Sequence, residues 1–247
     1  MTYSSRRQRV PAVLSILAVL LFPVVFYYLS PYLIIMGARQ GIITGDALFF
    51  IGLLFSSLAT GRAFCGWLCP GGAVQDLCSR VNNKKFNGGK WNLIKYYIWI
   101  PWIALIILMF AQAGGVKSVN PLYQTWNGVS VSNLPSLAIF AIVVGAIAVF
   151  AVKAGKRAMC HTVCWMAPFM IIGTKIKDAE GWPSLHLTAD KSRCVSCKEC
   201  TTHCPMSLNV TEMVQNGNLK DAECILCGTC VDTCPKKAIQ FSFGNSK

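Results

Sequence analysis

One cysteine phrase occurs twice near the C-terminus, and it dictates how that part of the chain can fold. Cys194-Val-Ser-Cys197-Lys-Glu-Cys200-Thr-Thr-His-Cys204-Pro205 recurs as Cys224-Ile-Leu-Cys227-Gly-Thr-Cys230-Val-Asp-Thr-Cys234-Pro235, with the same offset at every cysteine. This is the C-x2-C-x2-C-x3-C-P spacing of bacterial [4Fe–4S] ligation, in which the fourth thiolate serves the other cluster. Two clusters are therefore expected. Cys194, Cys197, Cys200 and Cys234 would hold the first, and Cys224, Cys227, Cys230 and Cys204 the second. Zinc sites normally present separated cysteine pairs that close one tetrahedron, and disulfides are disfavoured in a reducing compartment.

The remainder reads as membrane protein. Hydrophobic residues make up 54% of the chain and charged residues 13%, against about 25% charged in ordinary globular domains. Runs near the length of about 20 residues needed to cross a bilayer occur at Val10–Leu29, Gly45–Thr60, Leu93–Ala111 and Leu134–Val152. The second reaches full length only by continuing through Gly61 to Cys65. Tyr27, Tyr28, Trp91, Tyr96, Tyr97 and Trp99 supply interfacial anchors. A signal peptide over residues 1–29 is the competing reading, but its apolar stretch is too long and no clear cleavage site follows.

Basic residues predict the orientation. Arg6, Arg7 and Arg9 precede the first span. Arg62, Arg80, Lys84, Lys85, Lys90 and Lys95 occupy the loop after the second, and Lys153, Lys156, Arg157, Lys175 and Lys177 follow the fourth. The other two loops hold only Arg39 and Lys117. The positive-inside rule then puts both termini and the cluster domain in the cytoplasm, with the protein in the inner membrane. The net charge of +13 is accounted for by topology and anionic lipid headgroups, so nucleic acid is not an expected partner.

A quieter repeat lies where the second and fourth spans end. Arg62-Ala-Phe-Cys65-Gly-Trp-Leu-Cys69-Pro70 and Arg157-Ala-Met-Cys160-His161-Thr-Val-Cys164-Trp165 share Arg-Ala-apolar-Cys-x3-Cys. The membrane part thus reads as two helical hairpins, each ending in a cysteine pair. On a regular helix, an i, i+4 pair shares one face, with the sulfurs too far apart for a comfortable disulfide. Three readings stay open for Cys65, Cys69, Cys160 and Cys164: a third metal centre with Arg62 and Arg157 offsetting thiolate charge, a thiol/disulfide or metal-handling site, or buried packing residues. Cys78 reads as packing. His161 is expected to be a locally satisfied histidine rather than a ligand, and His203 to adjust hydrogen bonding beside the first cluster. Asp46 reads as a helix-start residue, and no catalytic residue is expected.

Gly66, Pro70, Gly71 and Gly72 predict a break in the second span, followed by a short interfacial helix over 73–81 with Val74, Leu77 and Cys78 on one face. Gly181-Trp-Pro183 marks the expected boundary between a membrane domain, 1–181, and a cluster domain, 182–247. Within the latter, strands are expected near 185–188 and 238–243 and a helix over 208–219.

Given Gly61-Arg-Ala-Phe-Cys-Gly-Trp-Leu-Cys-Pro-Gly-Gly72 and the double cluster phrase, the chain resembles the NapH/MauN group of membrane ferredoxin-type proteins, related to modules of NosR and CcoG-type assembly factors. The resemblance covers nearly the whole chain. It implies an α-helical membrane protein with four transmembrane helices, as two hairpin repeats, and a C-terminal α+β bacterial-ferredoxin-like domain. It further implies an electron-transfer subunit of a quinol-linked oxidoreductase, passing electrons between quinone and a second iron–sulfur or reductase subunit. The CcoG likeness allows an alternative, a metal-reducing or assembly factor. Trp165 stands where the family often has proline. Lys198, Lys236 and Lys237 beside the cluster phrases are expected to favour reduced clusters and to meet an acidic partner.

Overall fold

Residues 6–245 are described by the computed structural model; the remaining terminal residues, and the side chains of Arg6, Arg7 and Gln8, lie outside the described set. Helix α1 (Arg6–Leu20) gives way at Leu21 to α2 (Phe22–Val25) and a 3-10 turn, Phe26–Leu29, and the two halves meet at 60°. Pro23 in the first turn of α2 accounts for the break, because it lacks an N–H and its ring crowds the carbonyl four residues back. Then follow α3 (Pro31–Gln40), strand β1 (Ile42–Thr44) and α4 (Gly45–Thr60). Beyond α4 come α5 (Ala63–Trp67), α6 (Pro70–Cys78) and α7 (Ile94–Gln112). Strand β2 (Ser118–Asn120), which pairs in parallel with β1, leads into α8 (Leu134–Ala154), α9 (Ala158–Thr162) and α10 (Ala167–Glu180).

The helical stretch 89–112 and α8 are long and apolar enough to cross a membrane, and the bent α1–α2 unit is a third candidate. Their outward faces are apolar, as Ile100, Ile107 and Ile142 show with 60%, 64% and 71% exposure. Such surface needs lipid around it. The second expected span is different. It ends at Gly61 (φ 56°, ψ −133°) after 16 helical residues, instead of running on to Cys65. Among the described residues there are two or three full-length candidate spans and one short apolar helix, where the sequence predicts four spans.

The C-terminal part pairs β3 (Pro183–Ala189) antiparallel with β4 (Ile239–Asn245), Leu185 opposite Phe243 and Leu187 opposite Phe241. Between them lie α11 (Glu199–Thr202), α12 (Val210–Gln215) and α13 (Thr229–Thr233). Met206, Val210, Val214, Ile225 and Ile239 fill the core. Both strands are longer than the sequence predicts, and the helix over 208–219 shortens to α12. Helix α6 begins at Pro70, earlier than expected, and buries Val74 while leaving Leu77 exposed.

Basic side chains join the two parts. Arg62, Lys95, Lys156, Arg157 and Lys177 are all buried, so they do not serve lipid headgroups as their sequence positions imply. Arg62 Nη1 donates to Ala222 O at 2.9 Å and to Glu223 Oε2 at 2.8 Å, and Lys95, in the first turn of α7 rather than in a loop, pairs with the other Glu223 oxygen. Lys177 Nζ reaches Ser184 Oγ at 3.3 Å, and Lys156 Nζ reaches Thr202 O at 3.4 Å. Each bond spans the junction between the helical part and the cluster-phrase part. Charge that composition assigns to the membrane surface is spent on an internal collar.

Candidate iron–sulfur and juxtamembrane cysteine sites

The duplicated phrase is duplicated in backbone conformation. Ser196 and Leu226 both take positive φ (54° and 49°), as do Lys198 and Gly228 (62° and 77°) and Ser207 and Lys237 (55° and 51°). Non-glycine residues rarely adopt this region, and their recurrence at matching positions marks a functional constraint. Alternating right- and left-handed residues turn successive backbone N–H groups inward as nests, the concavities that accommodate iron–sulfur sites.

Those turns gather the cysteines into two sets. One pocket is lined by Cys194, Cys197, Cys200 and Cys234, the other by Cys204, Cys224, Cys227 and Cys230. Each pocket thus takes three cysteines from one phrase and the fourth from the other. Among the described residues, no three His, Cys, Asp or Glu side chains close on a single metal ion. Sulfurs spread around a pocket fit a multi-atom cluster better than one zinc, whose bonds of about 2.3 Å would draw thiolates to about 3.8 Å from one another. Hydrogen bonds reach several sulfurs: Ala238 N donates to Cys234 Sγ at 3.3 Å, and Thr211 Oγ1 lies 3.5 Å from Cys200 Sγ. Such contacts tune cluster potentials.

Burial, then neighbouring thiols, raise several cysteines. Cys224 is pushed up to about 12 and Cys204 to about 11, and Cys230 lies well above the usual thiol range. Left to themselves these groups stay protonated, so loading iron must displace protons. His203 is exposed and bonds within its own turn, Nδ1 to Glu199 O at 3.0 Å. It adjusts its local helix, and Lys198, Lys236 and Lys237 are exposed nearby.

The second repeat is also a repeat in three dimensions. Gly61 and Gly155 each end a long helix with positive φ, 56° and 115°. Cys65 N and Cys160 N then bond Arg62 O and Arg157 O at 3.0 and 2.9 Å, and Cys69 N and Cys164 N reach back to Phe64 O and Met159 O, both at 3.0 Å. The paired cysteines do not share one regular helix, as an i, i+4 reading predicts. Helix α5 stops at Trp67 and α9 at Thr162, so the second cysteine of each pair sits at a break, and Cys69 caps α6.

The breaks turn all four thiols toward one another. Cys69 feels Cys65, Cys160 and Cys164, and Cys164 feels Cys160 and Cys65. Burial and these neighbours push Cys164 up to about 12 and Cys69 well above the usual range. Arg157 is buried beside them, with Nη1 to Cys65 O at 2.6 Å and Nε to Asp76 Oδ1 at 2.8 Å. Gln75 Nε2 lies 3.3 Å from Cys160 Sγ. Arg62 faces Cys65 and Cys160, and its Nε and Nη2 are buried without any acceptor.

Nearby side chains are satisfied locally. His161 Nδ1 lies 2.7 Å from Asn92 Oδ1 and Nε2 lies 3.1 Å from Met206 O, and burial lowers its pKa to about 4. It is a neutral brace, as its position predicts. Trp165 Nε1 donates to Leu29 O at 3.0 Å, which gives this departure from proline a task. Cys78 ends α6 half-buried, away from the quartet's breaks. Asp46 lies in the first turn of α4, buried, with Oδ2 unpartnered. Sequence reasoning did not single out Glu223, and it read Lys95 only as loop charge. The available signals were a carboxylate abutting Cys224 in a chain with few acids, and a lysine leading an apolar run.

A membrane-associated iron–sulfur electron-transfer protein is the class these features define, and known proteins agree. Residues 47–88 match the family described as 4Fe-4S binding domain, and residues 193–239 the 4Fe-4S dicluster domain. An uncharacterized protein of Methanocaldococcus jannaschii is 27% identical over 85% of this chain and 78% of its own length. The putative electron transport protein YccM of Escherichia coli is 22% identical over 83% of this chain and 57% of its own. The ferredoxin-type protein NapH of Haemophilus influenzae is 26% identical over 80% of this chain and 69% of its own. No solved structure matches significantly. Over most of its length the chain is similar to NapH-type membrane-associated ferredoxin-type electron transport proteins, and its cysteines and 4Fe-4S matches support two [4Fe–4S] clusters.

Proposed function

We propose that this chain carries electrons between membrane quinone and a partner reductase or second iron–sulfur subunit. One observation carries the quinone half. A cavity of about 460 Å³ is lined by Phe22 and Phe26 of the bent α1–α2 unit, by Ile147 of α8, and by Cys69, Cys160 and Cys164. Its size and apolar lining suit a small hydrophobic ligand. Tyr27 and Gln124 offer polar groups within it.

The ligands follow the crossed grouping: Cys194, Cys197, Cys200 and Cys234 for one cluster, Cys224, Cys227, Cys230 and Cys204 for the other. Each bound cluster supplies a one-electron site. Quinol oxidation releases two electrons and two protons, so two one-electron acceptors match its stoichiometry. The protein's part is to bind the ring, keep water from the thiols, and hold the soluble part against the membrane part. Exposed Lys198, Lys236 and Lys237 form the surface offered to an acidic partner.

We read 1–181 as the membrane domain and 182–247 as the cluster domain, with α1–α2 and α4 as the third and fourth spans. Helix α4 leaves β1, which is tied to β2 between α7 and α8, and ends beside Glu223, where α7 begins. It therefore joins the same two layers as α7, within about 24 Å at 1.5 Å per residue. The basic loops support an inner-membrane location with both termini in the cytoplasm.

The test is to add a quinol analogue to the reconstituted protein and follow cluster reduction by EPR. Reduction that is lost when Phe26→Trp fills the cavity is expected. Clusters that dithionite reduces but quinol does not would refute the quinone reading and favour the metal-handling alternative.

A further inference from the structure

We propose that Cys65, Cys69, Cys160 and Cys164 hold a third iron–sulfur cluster, set between the apolar cavity and the second ferredoxin cluster. Four thiols converge from two repeats, all of them within a buried pocket of the junction and none in a disulfide. Residues 47–88 match a 4Fe-4S binding family, yet that segment contains only half the set. Its chain neighbours cannot complete a four-thiolate site. Cys160 and Cys164, from the other hairpin, can.

An independent observation points to an anionic occupant. The Arg62 side chain is fully buried, and only its Nη1 is used, on Ala222 O and Glu223. Nε and Nη2 have no acceptor, although they lie beside Cys65 and Cys160. Buried donors are almost always paired, so these N–H groups await an acceptor that the protein does not provide. Sulfide and thiolate sulfurs of a cluster are such acceptors, and a second buried guanidinium, Arg157, adds positive charge from the other repeat. Packing thiols would not require either group.

Position fits a relay. Three of the four cysteines wall the cavity. On the opposite side, α5 presses on the ligand loop of the second cluster so closely that a Cβ on Gly66 would stand 2.5 Å from Ile225 O and 3.2 Å from Cys227 N. A cluster here gains one electron from one side and loses one to the other, with no bond made or broken. The assignment does not depend on quinone being the donor, since it is read from metal content.

Iron and acid-labile sulfide are measured on the purified full chain, with Mössbauer spectra and EPR spin counts after dithionite reduction. Two cubanes give about eight irons per chain, and a third raises this to about twelve, or about ten for a two-iron centre. A Cys65→Ser/Cys160→Ser variant should lose the excess iron and one spin while both ferredoxin signals persist. If that variant fails to fold, the wild-type counts decide alone. About eight irons and two spins in the wild type, or zinc without additional sulfide, would overturn the proposal.

Discussion

Replacing Glu223 with glutamine should loosen the whole junction between the membrane and cluster parts. The carboxylate is shared by Arg62 at 2.8 Å and by Lys95, whose side chains are both fully buried. Burial raises the Glu223 pKa, but the two cations outweigh it and hold the group ionised, below its ordinary range. At an effective dielectric of about 20, each contact supplies about 4 kcal/mol of attraction. Much of that is offset by desolvation. What remains when one partner is removed is an uncompensated buried charge, here two of them, at a cost of about 3–5 kcal/mol. Glu223→Gln keeps the shape and removes only the charge, so the loss should be electrostatic. Tryptophan-fluorescence melts in detergent, with hydrogen exchange over residues 183–245, would report it. Adding Lys95→Met should restore part of the loss, because one stranded cation disappears. A Glu223→Gln protein as stable as the parent, with unchanged exchange, would refute the reasoning that this triad clamps the domains.

Three further outcomes follow from the geometry. Gly66→Ala puts a methyl 2.5 Å from Ile225 O, and overpacking of about 1–3 kcal/mol should lower the melting temperature and slow cluster reduction in flash-quench experiments. Cys234→Ser should abolish the cluster held by the Cys194 phrase while the other EPR signal remains; loss of the Cys224-phrase signal instead would mean that the ligands do not cross. In iron-stripped protein, buried Cys164 and Cys224 sit at about 12 against an ordinary 9.0. A raised folded pKa gives stability that is complete below pH 9.0 and lost as pH climbs toward 12. The stripped protein's melting temperature should therefore fall across that window, and a flat profile would contradict the burial of these thiols.

The duplicated turns of the cysteine phrases were legible in the sequence because their spacing is a local constraint, repeated in full. The matching turns at Cys65 and Cys160 were legible for the same reason, through Arg-Ala-x-Cys-x3-Cys. Legibility failed where structure depends on a partner far along the chain. Nothing near Arg62 announces Glu223, which lies 161 positions away, so basic residues that look like membrane-surface charge became internal ties. The break after Thr162 was hidden because i, i+4 spacing is compatible with an unbroken helix, whereas Gly66, Pro70, Gly71 and Gly72 announced the one after Trp67. The bend at Leu21 was masked by an apolar run that continues through Pro23, and it seats Phe22 and Phe26 edge-on against Phe140 of α8, where both line the cavity.

The two indoles beside the juxtamembrane cysteines have a consequence of their own. Trp67 Nε1 donates to Leu226 O at 2.9 Å, in the second cysteine phrase, whereas Trp165 Nε1 donates to Leu29 O at 3.0 Å, at the end of the bent α1–α2 unit. Internal duplication ordinarily leaves two interchangeable halves, with no distinction between front and back. Here each copy is moored to a different neighbour, Leu226 for one and Leu29 for the other, so two turns with one shared motif sit in unlike surroundings and a substitution in one is not equivalent to the same substitution in the other.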